Sequence, residues 1–443
     1  MQQSISAKIT LASLLAFTLP TIIANVFMSI YTTVDGIFVA NLVGTQALSA
    51  VNIVMPFLMV TIAIGTMLGT GGSALVAKKL GEGKTEEARR NFSLLVIVCF
   101  VTSALLSALG LLFKEPVLTL LGADESIYYY CEAYASPLFV IIPFAMLGIV
   151  FQMFFIADGK PHYGMAFSIA GGLMNILLDY LLIAKAGMGI RGAAIATGIG
   201  YAFPAVIGLF YFTFKRTGNL YFVKPRLDKT VILKAGANGS SEMVTMLSTS
   251  IVTIAMNNIM IRLAGADGVS AITILLYAQT LLSSVYMGYA TGIAPITSFN
   301  FGKGDTDNLK KIHRISLRTI AAASVITFLA SFFLAKPIIQ VFARAGTSVY
   351  NMAMNGFLIF AVGFLFMGFN VYSSSMFTAL NNGKVSAILS FFRTLVFLLA
   401  ALLIFPAVWN VTGVWIAMPA AEALSILMTI YYFRKMGPVY NYA

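Results

Sequence analysis

Read for polarity alone, the chain is a succession of long apolar runs separated by short polar or basic segments. An apolar helix of about 20 residues crosses a hydrocarbon core about 30 Å thick. Leu94 to Leu112 is apolar on nearly every helical face, as a helix surrounded by lipid and by other helices should be. No stretch sustains the polar–apolar alternation over about ten residues that a transmembrane strand requires. The pattern predicts an all-α membrane protein with twelve transmembrane helices, at 12–39, 47–77, 90–113, 131–157, 162–184, 191–214, 232–263, 269–298, 314–335, 348–379, 385–407 and 412–433. Pro20, Pro56, Pro143, Pro204, Pro295 and Pro419 fall inside these spans. In lipid such prolines mark kinks, because neighbouring groups satisfy the freed backbone.

Composition agrees with this reading. The 443 residues are 59% hydrophobic and 10% charged, whereas a soluble chain carries about 25% charged residues. The net charge of +12 raises the question of nucleic acid, but the bases sit in loops between apolar spans. With the loops numbered alternately, 21 of the 28 Lys and Arg fall on one side, six on the other, and Arg393 inside the eleventh span. Basic loops stay cytoplasmic, which predicts a multi-pass protein of the inner (plasma) membrane with both termini in the cytoplasm and no nucleic-acid partner. The N-terminal apolar run has no small-residue cleavage site and is expected to be a retained first helix.

The chain repeats itself. From Gly44 to Arg90 it aligns without gaps 221 positions later, pairing Gly44 with Gly265, Ala50 with Ala271, Gly71 with Gly292, Gly81 with Gly302 and Gly83 with Gly304. After a three-residue shift, Gly159-Lys160 pairs with Gly383-Lys384 and Gly189 with Gly413. The predicted units are a six-helix bundle at 1–214, a cytoplasmic linker at 215–231 and a second bundle at 232–443. An even number of spans per copy starts both copies on the same side, so the halves are parallel repeats around a central cleft.

Four acidic residues lie well inside the spans: Asp35, Asp179, Glu242 and Glu422. An ionisable group at membrane depth costs about 2.5–3.5 kcal/mol even on a lenient scale, and it persists where it faces a cavity, a partner or a transported ion. Tyr31 stands four residues before Asp35 and Asn175 four before Asp179, so each pair shares a helix face. Burial and a nearby second carboxylate both raise a carboxylate pKa, the requirement for a proton switch. Ionised, the same oxygens suit Na+. Glu242, near the basic-side entrance of the seventh span, reads equally as a cavity residue for cationic substrate or a structural partner. Glu422 reads as structural, pairing or hydrogen-bonding within the second bundle. Arg393 either snorkels to the basic face or pairs with a buried acid, and snorkelling is favoured.

The run Tyr31-Thr32-Thr33-Val34-Asp35-Gly36-Ile37-Phe38-Val39 after Leu19-Pro20, with Gly44, Pro56, Gly65, Gly71 and the loop Ala77 to Arg90, resembles multidrug and toxic compound extrusion (MATE) transporters. Phe301 to Lys311 and the late Trp415, Pro419 and Glu422 extend the resemblance over nearly the whole chain. The first half is similar to the DinF-like branch. In that branch a Tyr-x3-Asp in the first helix and an Asn-x3-Asp in the fifth form the cation site, which here implies Tyr31, Asp35, Asn175 and Asp179. An Asn of the fourth helix is replaced by the longer Gln152. Relatives with a Na+ site in the second half use an acid in the tenth helix, and this chain has none there.

The resemblance implies an antiporter exporting amphipathic, often cationic, organic compounds in exchange for H+ or Na+ by alternating access, with the lipid bilayer as its surroundings and a monomer as its unit. Met28, Met55, Met59, Met256, Met260 and Met287 sit in spans expected to border the cleft. Soft thioethers suit a site that accepts many shapes, although each also suits plain packing. Cys99 and Cys131 are too few for a disulfide framework and read as buried apolar residues. His162 and His313 lack partners at metal-ligand spacing, so no structural metal is expected. Gly187-Met188-Gly189-Ile190-Arg191-Gly192 fits G-x-G-x-x-G but has no βαβ unit around it, so no cofactor is expected. Two alternatives remain. A lipid-linked oligosaccharide flippase would line its cleft with cationic residues for phosphate. An intramembrane aspartyl enzyme could use Asp35 and Asp179 as its pair but would not carry this duplication.

Overall fold

The architecture was taken from a computed structural model, which describes residues 8–42, 45–125 and 127–442, with side chains left out at 33–49. The first half comprises α1 (Leu11–Leu42), α2 (Thr45–Gly81), α3 (Thr85–Leu112), the short α4 (Lys114–Leu120), α5 (Tyr128–Ala157), α6 (Pro161–Asp179) and α7 (Gly189–Phe214). The second half comprises α8 (Lys229–Lys303), α9 (Thr306–Phe342), α10 (Ser348–Ala361), α11 (Phe364–Ala379), α12 (Gly383–Phe391) and α13 (Leu398–Tyr440). π-helical turns at Tyr180–Lys185 and Phe392–Phe397 extend α6 and α12.

Among the described residues nine helical stretches are long and apolar enough to cross a membrane, and α10 with α11, bent by 56°, forms a tenth. Two of these ten are double. α8 breaks at Gly265, which has φ 63°, and the stretch Gly383–Tyr440 breaks at Trp409 and Asn410. The result is twelve crossings, six in each half.

The turn between α8 and α9 shows how little sequence a reversal needs. Gly304 takes a left-handed φ of 73° at the end of α8. Asp305 then caps α9 by accepting the Asn308 amide at 3.0 Å. The equivalent Gly83 has φ 76°. Only glycine enters this region without steric cost, which is why both copies carry it.

Each half has its own apolar core. Phe92, Phe139, Phe151, Phe154, Phe155 and Phe212 are fully buried in the first. Phe357, Phe360, Phe364 and Trp415 pack in the second. Cys99 and Cys131 are both buried. His313 is buried too, its Nδ1 3.3 Å from the Tyr372 hydroxyl. At the end bearing most of the bases the halves meet backbone to backbone. A Cβ on Gly81 would lie 2.0 Å from the Phe299 carbonyl oxygen, and one on Gly302 would lie 2.0 Å from the Lys78 carbonyl oxygen. These two contacts are images of each other under the 221-residue repeat.

The segment between the halves has irregular backbone from 215 to 228, and it is stapled to the first half. The Leu220 amide donates to Asp158 Oδ1 at 2.8 Å and the Val223 amide to Ser93 Oγ at 3.0 Å. Arg89 lies 4.1 Å over the Tyr221 ring. Asp158 also pairs with Lys160 Nζ at 2.9 Å. Burial pushes the Asp158 carboxyl above its usual range, with Lys160 and the Leu220 amide opposing it.

Candidate functional site

Tyr31 lies on an inward face of α1, and the four-residue spacing places Asn175 and Asp179 together on an inward face of α6. Tyr31 is buried, and Asn175 and Asp179 are almost fully so. Small residues make this possible where α6 crosses α7. A Cβ on Gly171 would meet the Gly200 carbonyl oxygen at 2.5 Å, and one on Gly200 would meet Asn175 Cβ at 2.8 Å. The close crossing brings Thr197 Oγ1 to 3.4 Å from Asn175 Nδ2. Asn175 Oδ1 keeps an acceptor position with no hydrogen-bond partner among the described residues.

Beside this pair lies a hollow of about 60 Å³ within the first half, walled by Met28, Tyr31, Gln152, Gly172, Gly200 and Tyr201, among others. It has room for roughly two waters or a small hydrated cation. The structure therefore brings Tyr31 and Gln152 to one hollow, with Asn175 against its Gly200 wall and Asp179 one turn further along α6. Asp35 follows Tyr31 by four residues in α1, and its side chain lies outside the described residues. The α-helical bonding of α6 ends at Asp179, and the π turn begins at Tyr180. Such turns are frequent at functional sites, and no sequence pattern announced this one.

The methionines divide. Met28 borders the hollow inside the first half. Met55 and Met59 are half-buried, Met55 against the first core, and Met287 is 36% exposed. Met256 and Met260, expected at the cleft, are instead buried in the core of the second half. With Val252 they form one i, i+4 face of α8, and that face packs inward beside Leu275 and Ile272.

The remaining acids belong to the second half. Glu422 accepts from Arg393 Nε at 2.9 and 3.1 Å and from Asn370 Nδ2 at 2.7 Å. Thr429 Oγ1 donates to Asn370 Oδ1 at 2.9 Å. The structural reading of Glu422 matches this network. Snorkelling of Arg393 does not: its side chain is 15% exposed and turned to Glu422. With a carboxylate in reach, a charge-assisted contact from one N–H shared between its two oxygens outweighs partial hydration at the surface. Glu242 is half-buried on α8, with the Arg393 charge the one that acts on it.

The fold and this buried polar cluster define an all-α, polytopic membrane transporter of two six-helix lobes. The MatE family model matches twice, over residues 20–181 and 243–403, and the chain belongs to that family. It is 23% identical over 431 residues to the multidrug export protein MepA of Staphylococcus saprophyticus, covering 94% of this chain and 93% of that one. A crystal structure of a MATE protein in complex with MaL6 superposes with a TM-score of 0.93 at 20% identity, covering 98% of both chains. The outward-facing structure of a multidrug resistance MATE family transporter superposes at 0.91 and 21% identity, covering 97% of this chain and 96% of that one. The protein is a transporter and not an enzyme.

Proposed function

We propose that this protein is a secondary antiporter that exports amphipathic, often cationic, organic compounds in exchange for H+ or Na+. The halves 1–214 and 232–443 rock about the linker 215–231 and expose the cleft alternately to each side. The chain is a monomer of the inner (plasma) membrane with both termini in the cytoplasm. Asp35 and Asp179 take up the coupling ion, and Tyr31, Asn175 and Gln152 supply neutral oxygens. Ion and cargo oppose each other through the state equilibrium, since each shifts it only by its differential affinity.

The observation that carries this reading is an asymmetry between the repeats. Tyr31, Asp35, Asn175 and Asp179 correspond to Val252, Met256, Leu399 and Leu403 in the second half. A duplicated scaffold that keeps acids within the spans of one copy and apolar residues at the equivalent positions of the other assigns those acids a task beyond packing. Branch membership with the DinF-like proteins rests on the same residues. Efflux of a fluorescent cation from proteoliposomes under imposed pH or Na+ gradients is the test. Gradient-driven efflux falls at least about tenfold in Asp179→Asn and in Asp35→Asn; full efflux in both variants would overturn the assignment, and the two gradients applied separately identify the ion. Within the membrane spans the flippase alternative loses its main cationic candidate, because Arg393 is engaged by Glu422.

A further inference from the structure

Where the two halves and the linker meet at the base-rich end lies a hollow of about 1010 Å³. Seven Lys and Arg and three acidic side chains line it. Two of the acids are spent on one base: Glu82 and Glu87 pair with Lys79 at 3.2 and 2.8 Å. The third, Asp228, accepts the Thr230 amide at 2.9 Å as the cap of α8. Lys78, Arg90, Arg226, Lys229, Lys234 and Lys384 are left with no carboxylate partner among the described residues. The first turns of α8 and α12 also belong to this wall, and helix N-termini favour anions. So much unpaired positive charge around one concavity asks for a polyvalent anion. Its wall is apolar in part, with Leu75, Leu227 and Val231 lining it and Leu227 74% exposed.

We propose that this hollow binds the phosphate headgroup of an anionic phospholipid, whose acyl chains leave along the exposed Leu227. A free phosphate would satisfy the bases but has no use for the apolar Leu75, Leu227 and Val231 in the same wall. Basic pockets between membrane helices recognise such headgroups by charge and hydrogen bonding. The bases come from α2, α3, the linker, the start of α8 and α12, so one headgroup bridges both halves. It does so in the arrangement where Gly81 meets Phe299 and Gly302 meets Lys78, and the lipid therefore favours that state over any in which the halves part at this end. On the export reading above, the lipid also cancels positive charge that would repel a cationic cargo arriving from this side.

Binding is tested without transport, so its failure and that of the export reading are separate. The full chain in a neutral detergent is examined by native mass spectrometry and thermal unfolding with phosphatidylglycerol, phosphatidylcholine or inorganic phosphate. Phosphatidylglycerol is retained and raises the Tm of the unmodified protein. Its affinity falls at least about tenfold in the triple variant Arg90→Gln, Lys234→Gln, Lys384→Gln. Affinity survives in Arg90→Lys, Lys234→Arg, Lys384→Arg, and in the control Lys310→Gln, Lys311→Gln, whose exposed bases lie outside the hollow. Equal retention of phosphatidylcholine, or a triple variant that binds as the unmodified protein does, would overturn the proposal. Stabilisation by millimolar phosphate equal to that by lipid would overturn it too, and would point to a soluble anion.

Discussion

Asp179 and Glu422 are both buried carboxylates in the same lipid-embedded fold, and their neighbours give them opposite characters. Glu422 holds Arg393 and Asn370 in a closed set. Such a network fixes geometry, and breaking half of it is worse than deleting it. Arg393→Ala, which strands the buried Glu422 charge, should lower stability by about 3 kcal/mol, whereas replacing both Arg393 and Glu422 by Met should be close to neutral. Chemical unfolding in detergent checks both, and equal losses in the two variants would refute the network account. Asp179, by contrast, lies one turn along α6 from Asn175, whose Oδ1 has no hydrogen-bond partner among the described residues and whose neighbour Gly200 walls a hollow large enough for water. A group so placed can exchange an ion, which the Asp179→Asn transport assay reads directly.

At the scale of elements, the ends of helices do more than the apolar middles to set the architecture. Asp305 caps α9, and the Asn308 amide holds its carboxyl below the usual carboxylate range. A lowered pKa means that the cap contributes fully above pH about 4 and fades as pH falls through the lowered value. Asp305→Ala should cost about 1 kcal/mol at neutral pH. That difference should shrink on acidification, as thermal unfolding measured at pH 7 and pH 3 would show. A constant difference would mean that the cap is not the cause. The π turn after Asp179 and the break at Trp409 and Asn410 are also events at helix ends. The break falls in the gap predicted between 385–407 and 412–433, whereas the π turn was invisible in the pattern, because lipid-facing residues stay apolar whether or not the helix bends.

At the scale of the whole molecule, the repeat supplies its own gate. Gly81 against Phe299 and Gly302 against Lys78 close the base-rich end with two equivalent contacts that leave no room for a Cβ. Gly81→Val should therefore force the halves apart at this end and shift the population toward the opposite state. Spin-label distances across the base-rich end should lengthen by several ångströms while the Tm changes little. Unchanged distances would show that a side chain is accommodated without opening. The same end carries the unpaired bases of the large hollow, so closure and anion binding depend on one set of surfaces.

Several of these features were already written in the residue order. Apolar runs of membrane-spanning length dictate helices, because a backbone in lipid must satisfy its own hydrogen bonds. The 221-residue repeat gave two like halves, and the spacing of Tyr31, Asn175 and Asp179 gave a shared inward-facing surface. Only the tertiary structure decided which way individual side chains turn around their helices. It placed Met256 and Met260 in a core, Arg393 on Glu422, and Gln152 beside Tyr31. Spacing fixes a residue's face on its own helix, but which neighbour that face meets depends on how helices distant in sequence cross. Those crossings rest on close contacts such as Gly171 with Gly200, which no linear pattern reveals.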